Sequence, residues 1–201
     1  MENYLSTFAT SFVATADAAC GRKRMSINES GFATVPGKSE LEQAAWWVRA
    51  VATFAAEPRV EHIGVYEIKD LPVGRQAIGD APNYHLGLAR ANRTRKLAFS
   101  TVKLLSTLMN AGMVAVADSE LRLEPETKRG ELYGHLFTRQ DGDRVLMIWN
   151  RTSDDTIAVK LSDPIHGAQE YALDGTPQRI DGETLDRVVL RRGIPRIFRL
   201  R

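Results

Sequence analysis

Apolar residues recur at helical spacing three times in the first half of the chain. The first run ends at Gly21 and contains Leu5, Phe8, Phe12, Val13 and Ala16. The second run extends to Ala55 and follows Ser39 and Glu42, a pair typical of the capping box at a helix N-terminus. The third extends from Thr94 to Asn110. Because side chains three and four residues apart share one helix face, this spacing predicts three amphipathic helices.

Two short apolar runs between these helices predict β-strands. The first begins at Met25 and ends in Glu29, and the second extends from Val60 to Ile68. The order helix, strand, helix, strand, helix predicts two parallel strands covered by helices, which is an α/β arrangement. The segment 71–82 contains glycine and proline and is long enough to form part of a binding site.

From Gly112 onward the pattern changes to short alternating runs that are separated by turn residues. Asp141-Gly142 lies between two of these runs and indicates a β-hairpin. The predicted strands are Leu132–Arg139, Arg144–Asn150, Thr156–Leu161, Gln169–Leu173, Gln178–Ile180, Val188–Leu190 and Ile194–Leu200. We therefore expect an α/β region over residues 1–112 and a small antiparallel β-sandwich domain over residues 113–201.

Composition and charge exclude several classes of function. The 201 residues include 27 basic and 25 acidic ones, spread along the chain, so there is no electrostatic footprint for nucleic acid or an anionic membrane. The single cysteine, Cys20, excludes an internal disulfide, and the four histidines lack the spacing of metal ligands. No apolar run is long enough to cross a bilayer, and the N-terminus lacks the order of a signal peptide. No metal or other cofactor is predicted.

Glu29 is the candidate functional centre. A carboxylate at the end of a buried strand is expensive to desolvate, so it usually has a chemical or hydrogen-bonding reason. The structural alternative is that Glu29 caps the next loop or pairs with Arg22 or Arg24, and the pattern alone favours this alternative. Trp46 and Trp47 fit helix packing better than a sugar platform.

The order of three motifs resembles the end of a clan A glycoside hydrolase barrel. They are Asn28-Glu29-Ser30-Gly31-Phe32, Val65-Tyr66-Glu67-Ile68-Lys69-Asp70 and Tyr84-His85-Leu86-Gly87-Leu88. The likeness is greatest to the β-xylosidase/α-iduronidase-like family and its bacterial polysaccharide-degrading relatives. In that family the seventh strand ends in a Thr-Glu-x-Gly-aromatic pattern. Here Asn28 takes the place of the threonine, and Val65 takes the place of an aromatic platform in the eighth strand.

The resemblance implies a retaining glycoside hydrolase that cleaves O-glycosyl bonds of an oligo- or polysaccharide. Residues 1–112 would be the last two strand–helix units of a TIM (β/α)8 barrel, and residues 113–201 the β-sandwich that follows it. Such an enzyme needs two carboxyl groups roughly 5–5.5 Å apart. Glu29 would be the nucleophile, and the acid/base residue would come from the fourth strand. The resemblance therefore predicts a C-terminal part that is inert without the N-terminal portion of the barrel.

The resemblance also implies a set of residues that bind the carbohydrate substrate. They are Asn28, Phe32, Tyr66, Glu67 and His85. Tyr66 and Glu67 fit structural closure of the barrel equally well. Two other functions stay open: a non-catalytic carbohydrate-binding or structural β-sandwich module, and a protein–protein adaptor whose open sheet edge pairs with another chain.

Overall fold

The computed structural model describes residues 5, 7–72, 84–109, 112–127, 129–180 and 185–201. The chain divides into two compact units, Met1–Phe99 and Ser100–Arg201. The division lies inside the third helix, whereas the sequence pattern changes at Gly112. The later part of this helix belongs to the second unit because the Thr101 hydroxyl donates a hydrogen bond to the Leu173 carbonyl (2.5 Å). Most of the predicted loop over 71–82 lies outside the described residues.

The first predicted helix is divided in two. A π-helix spans Phe8–Val13, and helix α1 spans Ala14–Cys20 and ends at Gly21. A π-helix has more residues per turn than an α-helix, so a stripe with α-helical spacing does not stay on one face. Accordingly Phe8 and Val13 are buried, whereas Phe12 is 44% exposed.

Strands β1 (Met25–Ser30) and β2 (Val60–Val65) form a parallel pair, as predicted. The two backbones approach closely at Gly64, where a Cβ atom would lie 2.0 Å from the Asn28 carbonyl oxygen. A glycine is required at such a contact. The register shifts between Ile27 and Ser30, so the pairing is irregular next to Glu29. Such irregularities re-aim side chains near the ends of strands.

Helix α2 (Glu40–Ala55) contributes a large share of the buried apolar residues of the first unit. Its capping box is formed, since the Glu42 N–H donates to the Ser39 Oγ (3.2 Å) and the Ser39 N–H donates to the Glu42 Oε2 (2.6 Å). Trp46 and Trp47 are 3% and 0% exposed, which confirms that they are packing residues.

Strand β2 ends at Val65 and not at Ile68, because the chain then pairs with a different segment. The Leu88 N–H donates to the Glu67 carbonyl and the Ala89 N–H to the Ile68 carbonyl, both at 3.0 Å. Helix α3 (Leu97–Leu108) begins three residues later than predicted, because Thr94 forms a turn in which its carbonyl accepts the Arg90 N–H (2.8 Å).

The second unit contains two antiparallel sheets. Their strand orders are β10-β7-β4 and β3-β5-β6-β11-β8-β9. The strands are β3 (Val114–Ala115), β4 (Leu121–Pro125), β5 (Leu132–Thr138), β6 (Arg144–Asn150), β7 (Asp155–Leu161), β8 (Ala168–Tyr171), β9 (Pro177–Arg179), β10 (Val188–Leu190) and β11 (Arg196–Leu200). The hairpin at Asp141-Gly142 is present, with the Arg139 N–H donating to the Asp143 carbonyl (2.8 Å).

Residues from both sheets share one hydrophobic core. Leu146, Ile148 and Phe198 come from the larger sheet, and Ile157 and Leu190 from the smaller one. All the strands predicted for this unit are found, with ends that differ by two residues or fewer. The pattern missed β3 and β4, because β3 is very short and β4 has only two apolar side chains before a proline. None of the described helices has the length and apolar content to span a membrane.

Candidate functional site

The candidate site lies where β1 and β2 end, at the same edge of the parallel pair. Glu29 is the penultimate residue of β1, and Tyr66 directly follows β2. The Tyr66 N–H donates to the Ser30 carbonyl at 2.8 Å, so the two strand ends are in register. The peptide bond between Tyr66 and Glu67 is cis. The structure therefore brings Glu29, Tyr66 and Glu67 to one edge, as the parallel arrangement predicts.

The Glu29 side chain is exposed, and no described residue donates a hydrogen bond to its carboxylate or forms an ion pair with it. Arg24 pairs with Glu61 instead, at 2.9 Å. The side chain of the neighbouring Asn28 accepts a hydrogen bond from the Ser26 hydroxyl (3.2 Å) and is also exposed. Neither structural role considered for Glu29 is formed among the described residues, so the carboxylate is open to a ligand.

Phe32 packs in the core beneath this edge. Its ring is 6% exposed and stacks on Trp46, with 5.9 Å between ring centroids. The Lys38 ammonium lies 5.1 Å from the Phe32 ring centroid. Substrate contact by Phe32 stays a prediction, and its observed contacts are with the core.

Gln43 connects α2 to the site and was not predicted from the sequence. The side chain is fully buried, and its amide N–H groups donate to three backbone carbonyls: Phe32 at 2.8 Å, Leu86 at 3.3 Å and Gly87 at 3.2 Å. This amide joins the segment after β1 to the segment before α3. A polar residue within an apolar helix face was the available signal.

Asp70 and Lys96 form a buried ion pair behind the same edge. The Lys96 Nζ lies 2.7 Å from the Asp70 Oδ1, and their side chains are 2% and 8% exposed. The ammonium also donates to the Thr34 hydroxyl (2.9 Å) and the His85 carbonyl (3.1 Å). Asp70 is the last residue of the second motif, and its pairing with Lys96 was not predicted from the sequence.

Glu67 is half-buried, and burial is the main cause that raises the pKa of its carboxyl. The Asp70 carboxylate raises the pKa further, whereas Lys96 and Lys69 oppose the shift. The Glu67 Oε1 is buried and has no hydrogen-bond partner among the described residues. A carboxyl group in this state can hold a proton for donation to a ligand, and its free oxygen can accept a hydrogen bond.

His85 lies at the rim of this cluster. Its side chain is 39% exposed, and its Nδ1 is 4.0 Å from the Asp70 Oδ2. The His85 carbonyl accepts the Thr34 N–H at 3.0 Å, which ties this segment to the one that follows β1. Among the described residues no three His, Cys, Asp or Glu side chains converge as a metal site would require.

Comparison with known proteins finds solved structures with a similar fold. No protein-family profile and no curated protein sequence matches the chain. A family 39 glycoside hydrolase from the gut symbiont Bacteroides cellulosilyticus WH2 superposes with a TM-score of 0.59 at 17% identity, over 88% of this chain and 33% of that one. The fold of the chain is thus similar to part of this glycoside hydrolase. The resemblance to clan A glycoside hydrolases is thereby confirmed at the level of structure.

Two further glycoside hydrolases share this fold. The catalytic domain of GH30 xylanase C from Talaromyces cellulolyticus gives a TM-score of 0.57 at 15% identity, over 89% of this chain and 41% of that one. An endo-β-1,6-glucanase gives a TM-score of 0.50 at 13% identity, over 92% of this chain and 37% of that one. The chain thus spans between 33% and 41% of the length of these glycoside hydrolases.

Proposed function

We propose that this chain is the C-terminal region of a retaining glycoside hydrolase that cleaves O-glycosyl bonds of an oligo- or polysaccharide. Residues 1–112 would form the last two strand–helix units of a (β/α)8 barrel, and residues 113–201 a β-sandwich. One observation supports the proposal: in a fold similar to that of glycoside hydrolases, Glu29 lies at the carboxyl end of a parallel strand and its carboxylate has no partner among the described residues. Active sites of such barrels lie at this end of the strands.

Glu29 acts as the nucleophile in the proposed reaction. Its carboxylate attacks the anomeric carbon and forms a covalent glycosyl–enzyme, while the leaving oxygen takes a proton from a second carboxyl group. Water, deprotonated by that same second group, then attacks the anomeric carbon and releases Glu29. A carboxylate that holds no ion pair or hydrogen bond within the described residues keeps its electron pairs available for the first step.

The second carboxyl group belongs to a portion of the barrel outside this chain. In the described structure β1 pairs only with β2, and an isolated pair of strands is marginally stable in water. The remaining strands of a barrel are therefore the proposed partner of this pair, and the chain alone is expected to be inert. Asn28, Tyr66, Glu67 and His85 would line the carbohydrate site.

The test is active-site labelling of the complete enzyme that contains this chain. A 2-deoxy-2-fluoro glycoside with a good leaving group traps the glycosyl–enzyme, and peptide mass spectrometry locates the attached sugar. We expect the label on Glu29, its loss in Glu29→Gln, and normal labelling in the control Glu61→Gln, whose residue is exposed on β2. A label on another carboxylate, or full hydrolysis by Glu29→Gln, would remove Glu29 from the mechanism.

The non-catalytic carbohydrate-binding module is the less supported alternative. Such modules bind sugars by stacking them on exposed aromatic rings, in the same way that the bases of single-stranded nucleic acid stack on aromatic side chains. Three large rings of the second unit are unavailable for this, because Phe137, Trp149 and Phe198 are 0%, 3% and 0% exposed. Retardation of the chain in a polysaccharide affinity gel would nevertheless favour the module.

A further inference from the structure

Lys96 uses its whole hydrogen-bonding capacity inside the protein. An ammonium has three N–H donors, and Lys96 has three acceptors: the Asp70 Oδ1 at 2.7 Å, the Thr34 hydroxyl at 2.9 Å and the His85 carbonyl at 3.1 Å. The side chain is 2% exposed. Because no donor is left for a ligand, Lys96 is not a substrate-binding residue, and its charge serves the protein itself.

The Asp70 carboxylate also has its hydrogen-bond partners within the protein. Its Oδ1 accepts the Gly87 N–H at 2.8 Å as well as the Lys96 ammonium. Its Oδ2 lies 4.0 Å from the Nδ1 of the partly exposed His85. The pair therefore contacts three separate segments of the first unit: the one after β1, the one after β2, and the one before α3.

We propose that Asp70 and Lys96 are positioning residues of the candidate site, which hold the segment after β1, with Phe32, against the segment that carries His85. This inference rests on the proposed function, because only that function makes this edge a substrate site. The contacts of Asp70 and Lys96 do not depend on it. A neutral pair would leave the Thr34 hydroxyl and the His85 carbonyl with fewer donors in a buried place, where each unsatisfied polar group costs free energy. The two charges thus fix the loops and neutralise each other.

The pair also acts electrostatically on Glu67. The charged groups that face the Glu67 carboxyl are Asp70, which raises its pKa, and Lys96 and Lys69, which lower it, with Asp70 the strongest of the three. Replacing Asp70 by asparagine keeps an oxygen for the bonds from Lys96 and Gly87 and removes the negative charge. The pKa of Glu67 should then fall, because the Asp70 carboxylate no longer opposes its ionisation.

The experiment uses the 201-residue chain and two NMR measurements. Amide hydrogen exchange should become at least about tenfold faster in Lys96→Met at the N–H of Thr34, which bonds to the His85 carbonyl, and of Gly87, which bonds to Asp70. The matched control is Lys103→Met, an exposed lysine of the same helix, which should leave both rates unchanged. Titration of the labelled Glu67 carboxyl should give a lower midpoint in Asp70→Asn than in the wild type.

Two results would overturn the proposal: exchange rates in Lys96→Met that match Lys103→Met, or an unchanged Glu67 midpoint in Asp70→Asn. If circular dichroism shows that Lys96→Met fails to fold, the Glu67 titration midpoint in Asp70→Asn decides alone. Asparagine has nearly the same shape as aspartate, so this variant is expected to fold. Neither measurement uses a sugar. A failed labelling of Glu29 would therefore remove Glu29 from the mechanism while leaving the positioning pair intact, and failure of the positioning pair would leave the labelling result unchanged.

Discussion

Gly31 and Tyr66 are in direct backbone contact at the ends of the two parallel strands. A Cβ atom on Gly31 would lie 1.9 Å from the Tyr66 carbonyl oxygen and 3.0 Å from the Leu86 Cδ2. The first distance is far below any possible contact, and the obstacle is backbone. The strand ends can be this close only because residue 31 has no side chain.

Gly31→Ala should therefore be strongly destabilising. Either the strand ends separate, which breaks the 2.8 Å hydrogen bond from the Tyr66 N–H to the Ser30 carbonyl, or the unit fails to fold. We expect a loss of more than about 3 kcal/mol in the free energy of unfolding, measured by urea denaturation. Gly167→Ala is the control, since a Cβ there meets nothing within 4 Å. Equal stability of the two variants would contradict the observed contact.

Glu29→Gln should leave stability nearly unchanged. The Glu29 side chain is exposed and has no partner within the described residues, so its charge supports no folded-state interaction there. A change of less than about 0.5 kcal/mol is expected in denaturant titrations. Asp70→Ala is the contrasting variant, because it leaves the buried Lys96 ammonium unpaired and should cost about 3–5 kcal/mol. A marked loss of stability in Glu29→Gln would favour the structural role over the catalytic one.

Glu67 should make the stability of the chain depend on pH. Its carboxyl has an ordinary pKa of 4.5 that burial raises in the folded state, so the folded chain binds more protons than the unfolded chain above pH 4.5. The contribution of Glu67 is thus fully present below pH 4.5 and is lost as the pH rises through the raised value.

Comparison with Glu67→Gln isolates this effect. As the pH rises above 4.5, the stability of the wild type should fall relative to that of the glutamine variant, measured by thermal unfolding at several pH values. Glu126→Gln, at an exposed position, is the matched control variant. Parallel curves for the wild type and Glu67→Gln would show that the Glu67 pKa is not raised.

Gln43→Met should weaken the connection between α2 and the site. Methionine has nearly the same shape but donates no hydrogen bond, so the carbonyls of Phe32, Leu86 and Gly87 lose a buried donor. The expected cost is about 1–3 kcal/mol in the free energy of unfolding. Gln178→Met, an exposed glutamine of β9, should have no effect. A neutral Gln43→Met would mean that water replaces the amide.

Local pattern predicted most of the elements and the edge at which the candidate site lies. Strand alternation ends at Glu29 and again before Glu67, and the helix between the strands makes them parallel, so both glutamates had to come to one edge. The capping box of α2 and the hairpin at Asp141-Gly142 were also predictable from the sequence, because each is a local motif of four residues.

The sequence could not reveal which distant residues meet behind that edge. Lys96 bonds to Asp70 across 26 positions and to Thr34 across 62, and no local rule relates them. The π-helix was also missed, because its side chains differ little in composition from those of an α-helix. The exposure of Glu29 and the burial of Phe32 likewise depend on how the segments pack and not on their patterns.

The junction at Lys96 has a consequence for how the first unit folds. Helix α2 and its capping box form from neighbouring residues. The hydrogen bond from Lys96 to Thr34 joins residues 62 positions apart, so the polypeptide between them must become compact before the Lys96 ammonium is desolvated. We therefore expect the contacts around Lys96 to become ordered later than helix α2.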